Sequence, residues 1–175
     1  MINMGLFDIL SKKSPAKILI LFLENPTKEM QIKNIIRNTR LARMSVLKWI
    51  KEMTRCGILS VSFVGRTSLY SLNKNKPVVK QLRILYNLDY IVGKTEKIDS
   101  DAQVFVYGSF ARGENTEKSD IDLLVIGKDR NIVKILNSID KRVKVSFYTP
   151  VEWSMTARKD KAFFEGVEKD KIRLR

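Results

Sequence analysis

QVFVYGSFARGENTEKSDIDLLVI, residues 103–126, is the stretch from which the rest of this chain can be read. Two apolar runs, VFVY at 104–107 and IDLLVI at 121–126, are short and rich in β-branched and aromatic residues, so they read as buried strands. The first ends on Gly108-Ser109, followed by the helix-compatible Phe110-Ala111-Arg112. The second begins with Asp120 and Asp122. Residues two apart in a strand point to the same face, about 6.6–7 Å apart along the chain. Two carboxylates so placed can lean together onto divalent ions. A Gly-Ser turn entering a helix offers free backbone N–H groups and a hydroxyl, which suit phosphate. Phosphate cradle and metal carboxylates thus fall on neighbouring strands, as a nucleoside triphosphate needs.

Gly108-Ser109, ten residues, then Asp-x-Asp running into Leu-Leu-Val resembles the signature of the minimal nucleotidyltransferases of the DNA polymerase beta superfamily. Gly113 and Ser119 also stand where that pattern wants them. A lone Asp-x-Asp is a weak signal and can simply cap a strand in solvent. An acidic pair leading straight into an apolar run is an odd place for idle charge, however. The resemblance implies two Mg²⁺ ions held by Asp120 and Asp122, which would be catalytic. It also implies a nucleoside triphosphate, ATP first among them, bound through Gly108, Ser109, Arg112 and Ser119. The reaction implied is transfer of a nucleoside monophosphate to an acceptor hydroxyl. Active members carry a third carboxylate on the next strand. KRVKVSFY at 141–148 reads as that strand, yet it holds no acid; Lys144 or Ser146 stands about where one belongs. The nearest acids are Asp140 and Glu152.

Composition narrows the remaining choices. At 175 residues with 44% apolar content, the chain can build one domain or two small ones. A single cysteine, Cys56, excludes an internal disulfide framework, and with no histidine the usual zinc site is excluded too. The first residues lack the basic-then-apolar order of a signal peptide, and the longest apolar run, AKILILFL, is far short of the ~20 residues that span a bilayer. The expected compartment is the cytoplasm, with no membrane partner. Net charge is +14, unevenly spread. Residues 1–97 hold 18 Lys and Arg against 6 Asp and Glu, whereas residues 98–175 hold 15 against 13. The asymmetry points to a polyanion bound by the front of the molecule.

That front half reads as three helices and a hairpin. Ser14-Pro15 opens a helical pattern through Ile18, Leu21 and Phe22 that stops at Asn25-Pro26. Thr27 is expected to cap a second helix with Ile32, Ile35 and Ile36 inward. A third follows, with Val46, Leu47, Ile50 and Met53 at helical spacing, closed by Gly57 in a left-handed cap. LSVSFV and TSLYSL then alternate around Gly65-Arg66 as a two-stranded hairpin. The succession resembles a winged helix-turn-helix, which implies double-stranded DNA as partner. The outer face of the third helix carries Arg43, Ser45 and Lys48, with Arg40 just before it and Arg66 at the wing tip. Such a helix fits the major groove. Charges on an outer helix face are commonly only solvated, but residues 28–55 hold 8 basic against 2 acidic residues.

The expected fold class is α+β: a winged helix-turn-helix over 1–76, a connector and dimer helix over 77–97, and a nucleotidyltransferase-like mixed sheet flanked by helices over 98–175. In the connector, Val78, Leu82, Leu85, Leu88 and Val92 form an apolar stripe, widened by Val79, Tyr86 and Ile91. That is more than one flank needs, hence a homodimer. Residues 132–139 read as a short helix, and the C-terminal stretch as one helix carrying Trp153 and Phe163-Phe164, then a final short strand. Two roles remain open: a DNA-binding regulator with a working transferase, or a catalytically degenerate protein that senses a nucleotide or docks a protein partner in an antitoxin-like way.

Overall fold

The computed structural model describes residues 10–95, 98 and 100–175. They form two compact units, one running to Lys80 and the other from Gln81. The division falls inside a helix that starts at Pro77, rather than at its first residue.

The first unit contains α1 (Lys13–Glu24), α2 (Ile32–Thr39), α3 (Arg43–Arg55), β1 (Leu59–Val64) and β2 (Thr67–Leu72). The three helices pack on one another. Ile18, Phe22, Ile35, Val46 and Met53 are each fully buried, a helical spacing that turns one stripe of each helix inward. Gly57 ends α3 at φ +69, in the left-handed region as expected. β1 and β2 pair antiparallel from Leu59↔Leu72 to Val64↔Thr67, leaving Gly65-Arg66 as the two-residue turn. Gly65 sits at φ +58, which an L side chain resists. Thr27 does not cap α2: the helix begins at Ile32 after Gln31, and the preceding residues instead carry Met30 into a bridge with Tyr70. That backbone pairing is a tertiary contact, and it outbids a local cap.

α4 (Pro77–Thr95) crosses the division. Its buried positions are Val79, Leu82, Arg83, Asn87, Ile91 and Thr95, while Leu85 is 62% exposed. Leu82, Val79 and Ile91 of the apolar stripe read from sequence are thus inward, Leu85 is not, and the inward face also carries an arginine and an asparagine near its centre.

The second unit adds β3 (Gln103–Tyr107), α5 (Gly108–Ala111), β4 (Ile121–Ile126), α6 (Asn131–Ile139), β5 (Val143–Tyr148), α7 (Pro150–Lys159), α8 (Lys161–Asp170) and β6 (Ile172–Arg173). The sheet order is β5-β4-β3-β6, with β3 antiparallel to β4 and β6, and β4 parallel to β5. Strand alternation divides the side chains between two layers. Val104, Val106, Ile121, Leu123, Val125 and Val143 pack with Ile91, Phe110, Ile132 and Leu136 on one face. Phe105 and Leu124 pack with Trp153 and Val167 on the other, joined by Tyr107, Tyr148, Phe163 and Phe164. The C-terminal segment makes two helices, not one. Asp160, with φ −140 and ψ 73, interrupts them, and its carboxylate accepts from the Phe163 N–H at 3.0 Å to start α8.

Candidate nucleotide site

Asp122 lies opposite Tyr107 across the β3–β4 ladder, at the end of β3 where the chain turns into α5. Leu124 and Ile126, two and four residues on, belong to the aromatic layer, so alternation puts Asp120 and Asp122 on that same face. The turn is shaped around this pair. Gly108 has φ +71, and a Cβ built there would sit 3.0 Å from Asp122 Oδ2. Only glycine gives both the left-handed backbone and the room for the carboxylate. The Gly108-Ser109 turn and the acidic strand are therefore brought together, as the sequence spacing leads one to expect. Burial pushes the Asp122 carboxyl above the usual carboxylate range, and the neighbouring Asp120 charge adds to it. A cation would relieve both costs.

The other expected residues stand differently. Ser109 is the second residue of the short helix, its carbonyl accepting from Glu114 N–H at 2.8 Å. Ser119 braces its own loop: its Oγ accepts from the Thr116 N–H at 2.8 Å and lies 3.1 Å from Thr116 Oγ1. Arg112 is half exposed and pairs with two carboxylates, Glu114 at 2.8 Å and Asp170 at the end of α8. Asp170 also accepts, at 3.4 Å, from the Gly108 N–H. In the first unit, Arg40, Arg43, Lys48 and Arg66 are exposed, and Ser45 is half-buried. Arg40 caps α2 with a left-handed φ of 55. Trp49 is buried, with the ammonium groups of Lys12 and Lys48 lying 5.4 and 5.3 Å from its ring centroid.

Two groups at the site were not legible beforehand. Arg83 and Asn87 of α4, both 5% exposed, hold the segment between turn and acidic strand. Asn87 Nδ2 donates to the Phe110 carbonyl and to Asn115 Oδ1, both at 2.8 Å, while Arg83 Nη2 donates to the Asn115 carbonyl. Desolvation lowers the Arg83 pKa from its ordinary value. Tyr107, beside Asp122, places its hydroxyl 3.2 Å from Ser146 Oγ, and burial raises its pKa. Lys144 is one of the two positions read from sequence for the absent acid. The parallel register sets it directly across from Asp122, and Ser146 one step deeper, across from Leu124.

Neither displaced acid reaches the site. Asp140 is held by Tyr90 and by Arg142, whose Nη2 donates at 2.8 Å, and the Arg142 contact above all drives its carboxyl well below the usual range. Glu152 closes a capping box with Thr149 at the start of α7. Among the described residues no group of three or more His, Cys, Asp or Glu is placed to hold a metal ion. Two hard carboxylate donors suit one Mg²⁺ completed by phosphate oxygens and water.

Residues 88–170, just under half of the chain, match the family model described as the nucleotidyltransferase domain. A crystal structure of a candidate nucleotidyltransferase from Sulfolobus solfataricus is 24% identical, covering 55% of this chain and 83% of that one with a TM-score of 0.30, a slight likeness. No curated protein matches the sequence. Among the described residues no helix is long and apolar enough to cross a membrane.

Proposed function

We propose that this chain binds duplex DNA through its first unit and a Mg²⁺-bound nucleoside triphosphate through its second, and that it transfers the nucleoside monophosphate to an acceptor hydroxyl slowly. The observation carrying the nucleotide half is the meeting of Gly108 with the Asp122 carboxylate, 3.0 Å from where a Cβ would stand. It supports reading the turn as an anion cradle and the carboxylate beside it as a metal ligand. Asp120 and Asp122 would hold the ion, and the Gly108–Ser109 backbone the outer phosphates. Arg112 can join them only by leaving Glu114 or Asp170. Bound Mg²⁺ would offset charge on the phosphoryl oxygens. In the transfer, the acceptor oxygen bonds to the α-phosphorus as the bond to the bridging oxygen breaks. Pyrophosphate leaves, and the acceptor's proton passes to water because, among the described residues, Asp140, Glu152 and Asp170 are each engaged by other partners. A missing general base costs about 10²–10⁴-fold in rate.

The three helices and hairpin support the winged-helix reading by their order, and the exposed Arg40, Arg43, Lys48 and Arg66 supply its cationic face. If a homodimer neutralises about 6–10 phosphates, affinity should fall ~10³–10⁵-fold between 50 and 200 mM salt. A flat salt response would end the DNA half.

A second reading is a degenerate domain that senses a nucleotide or docks a protein partner. The lysine standing across from Asp122 and the engagement of Asp140 and Glu152 elsewhere favour it. Incubation with ATP labelled in its α-phosphate separates the two: slow label transfer to an added hydroxyl acceptor supports the first, and binding without any transfer supports the second.

A further inference from the structure

Lys144 holds the place on β5 that faces Asp122, and it stands on the same side of the sheet. The assignment follows from alternation. Val143, Val145 and Phe147 belong to the layer of Val104 and Leu123, while Tyr148 belongs to the layer of Leu124 and Trp153. Lys144 therefore shares the face of Asp120 and Asp122, and adjacent strands lie about 4.8 Å apart. The side chain is exposed, so its ammonium is free to swing over the carboxylate pair or toward a triphosphate seated there. The next position on that face, Ser146, is already engaged with the Tyr107 hydroxyl.

Resting on the nucleotide-binding reading above, we propose that the site takes one divalent ion, brought by the triphosphate, and that Lys144 supplies the positive charge a second ion would otherwise bring. The donor count argues for this. An ion carried by a triphosphate needs only a few protein oxygens, because phosphate oxygens and water complete its shell. A second ion would have to share those same two carboxylates, since Asp170 at the turn is held by Arg112 and the Gly108 N–H, and it would lie across from an ammonium that repels it. A lysine is a compact, hydrated point charge with rotatable donors, suited to a phosphate oxygen but unable to coordinate a metal or, while charged, to accept a proton. The same substitution that keeps the nucleotide bound thus slows its transfer. A lysine on an exposed strand is also commonly only solvated, and the test below separates the two roles.

Full-length protein is saturated with ATP and Mn²⁺, and the bound ions are counted by calorimetry and electron paramagnetic resonance. Two ions in one site lie about 3.5–4 Å apart and couple magnetically. The wild type should hold one uncoupled Mn²⁺ per chain. Lys144→Asp should gain a coupled second ion, and Ser146→Asp should not. Lys144→Ala should bind Mn·ATP about tenfold more weakly, the worth of one charge-assisted contact. A coupled pair in the wild type overturns the inference while leaving nucleotide binding intact. No retained Mn²⁺ with ATP overturns the nucleotide reading, and the inference with it. A Lys144→Asp chain that still holds one ion, or a Lys144→Ala chain that binds as tightly as wild type, shows that Lys144 has neither role. Should Lys144→Asp fail to fold by circular dichroism, the wild-type spectrum and the Lys144→Ala affinity decide alone.

Discussion

Replacing Gly108 by alanine tests whether the turn and the acidic strand are built against each other. At φ +71 an L residue pays about 1–2 kcal/mol for the left-handed backbone. The added Cβ would stand 3.0 Å from Asp122 Oδ2, so the carboxylate must shift or leave its rotamer, at about 0.5–1.5 kcal/mol. Loss of glycine's freedom in the unfolded chain returns about 0.4–1 kcal/mol. The net is a loss of about 0.5–3 kcal/mol, and a domain of this size melts about 4–8 °C lower per kcal/mol. Two comparisons isolate the cause. Gly65→Ala, at φ +58 with nothing within 4 Å, should show the backbone cost without the clash. Gly93→Ala, in α4 with open space around it, should stabilise by about 0.5–1 kcal/mol. Thermal melts by circular dichroism give the stabilities, and calorimetry gives Mg·ATP affinity. Gly108→Ala should both melt lower and lose binding. Wild-type melting with unchanged binding would refute the proposed meeting of turn and carboxylate.

The raised pKa of Asp122 makes its ionised form a liability in the metal-free fold. Its stabilising contribution is fully present below its unfolded value near 3.8 and is lost as pH rises through the higher folded value. Asp122→Asn should therefore raise metal-free stability near neutral pH and give no gain below about pH 3.8, as melts across pH would read. Asn87→Ala strips the donor from the buried Phe110 carbonyl and from the half-buried Asn115 Oδ1, at about 1–3 kcal/mol for the carbonyl left unsatisfied, and should weaken Mg·ATP binding as well. Urea titration checks the first effect, and an Ile91→Val chain of comparable stability that binds normally checks the second. Leu85, exposed on α4, is the residue most available for pairing two copies. Leu85→Glu should convert a homodimer to monomers by light scattering, and a wild-type monomer at micromolar concentration would end that idea.

Much of the second unit was legible because its motif and its periodicity agree. Gly108, Asp120 and Asp122 sit where the spacing puts them, and β3, β4 and β5 occupy the apolar runs. The hairpin was equally plain, since two alternating runs around Gly65-Arg66 leave one register. What stayed hidden depends on partners distant in sequence. Arg83 and Asn87 look like solvent residues until Asn115 folds against them, so their share of the inward face of α4 does not show in its apolar pattern. Asp170 meets Arg112 only once α8 packs by the short helix. The choice between Lys144 and Ser146 is a question of strand register, which a single strand's pattern cannot answer. Thr27 failed as a cap because the bridge between Met30 and Tyr70 claimed the backbone around it.

The central claim is that residues 108–122 bind a triphosphate through a divalent ion. Calorimetry of the full chain with ATP, with and without Mg²⁺, tests it most directly. The account predicts saturable binding only when Mg²⁺ is present, abolished in Asp120→Asn and in Asp122→Asn although both variants remain folded. Absence of binding, or binding that persists without Mg²⁺ or in either variant, would contradict it.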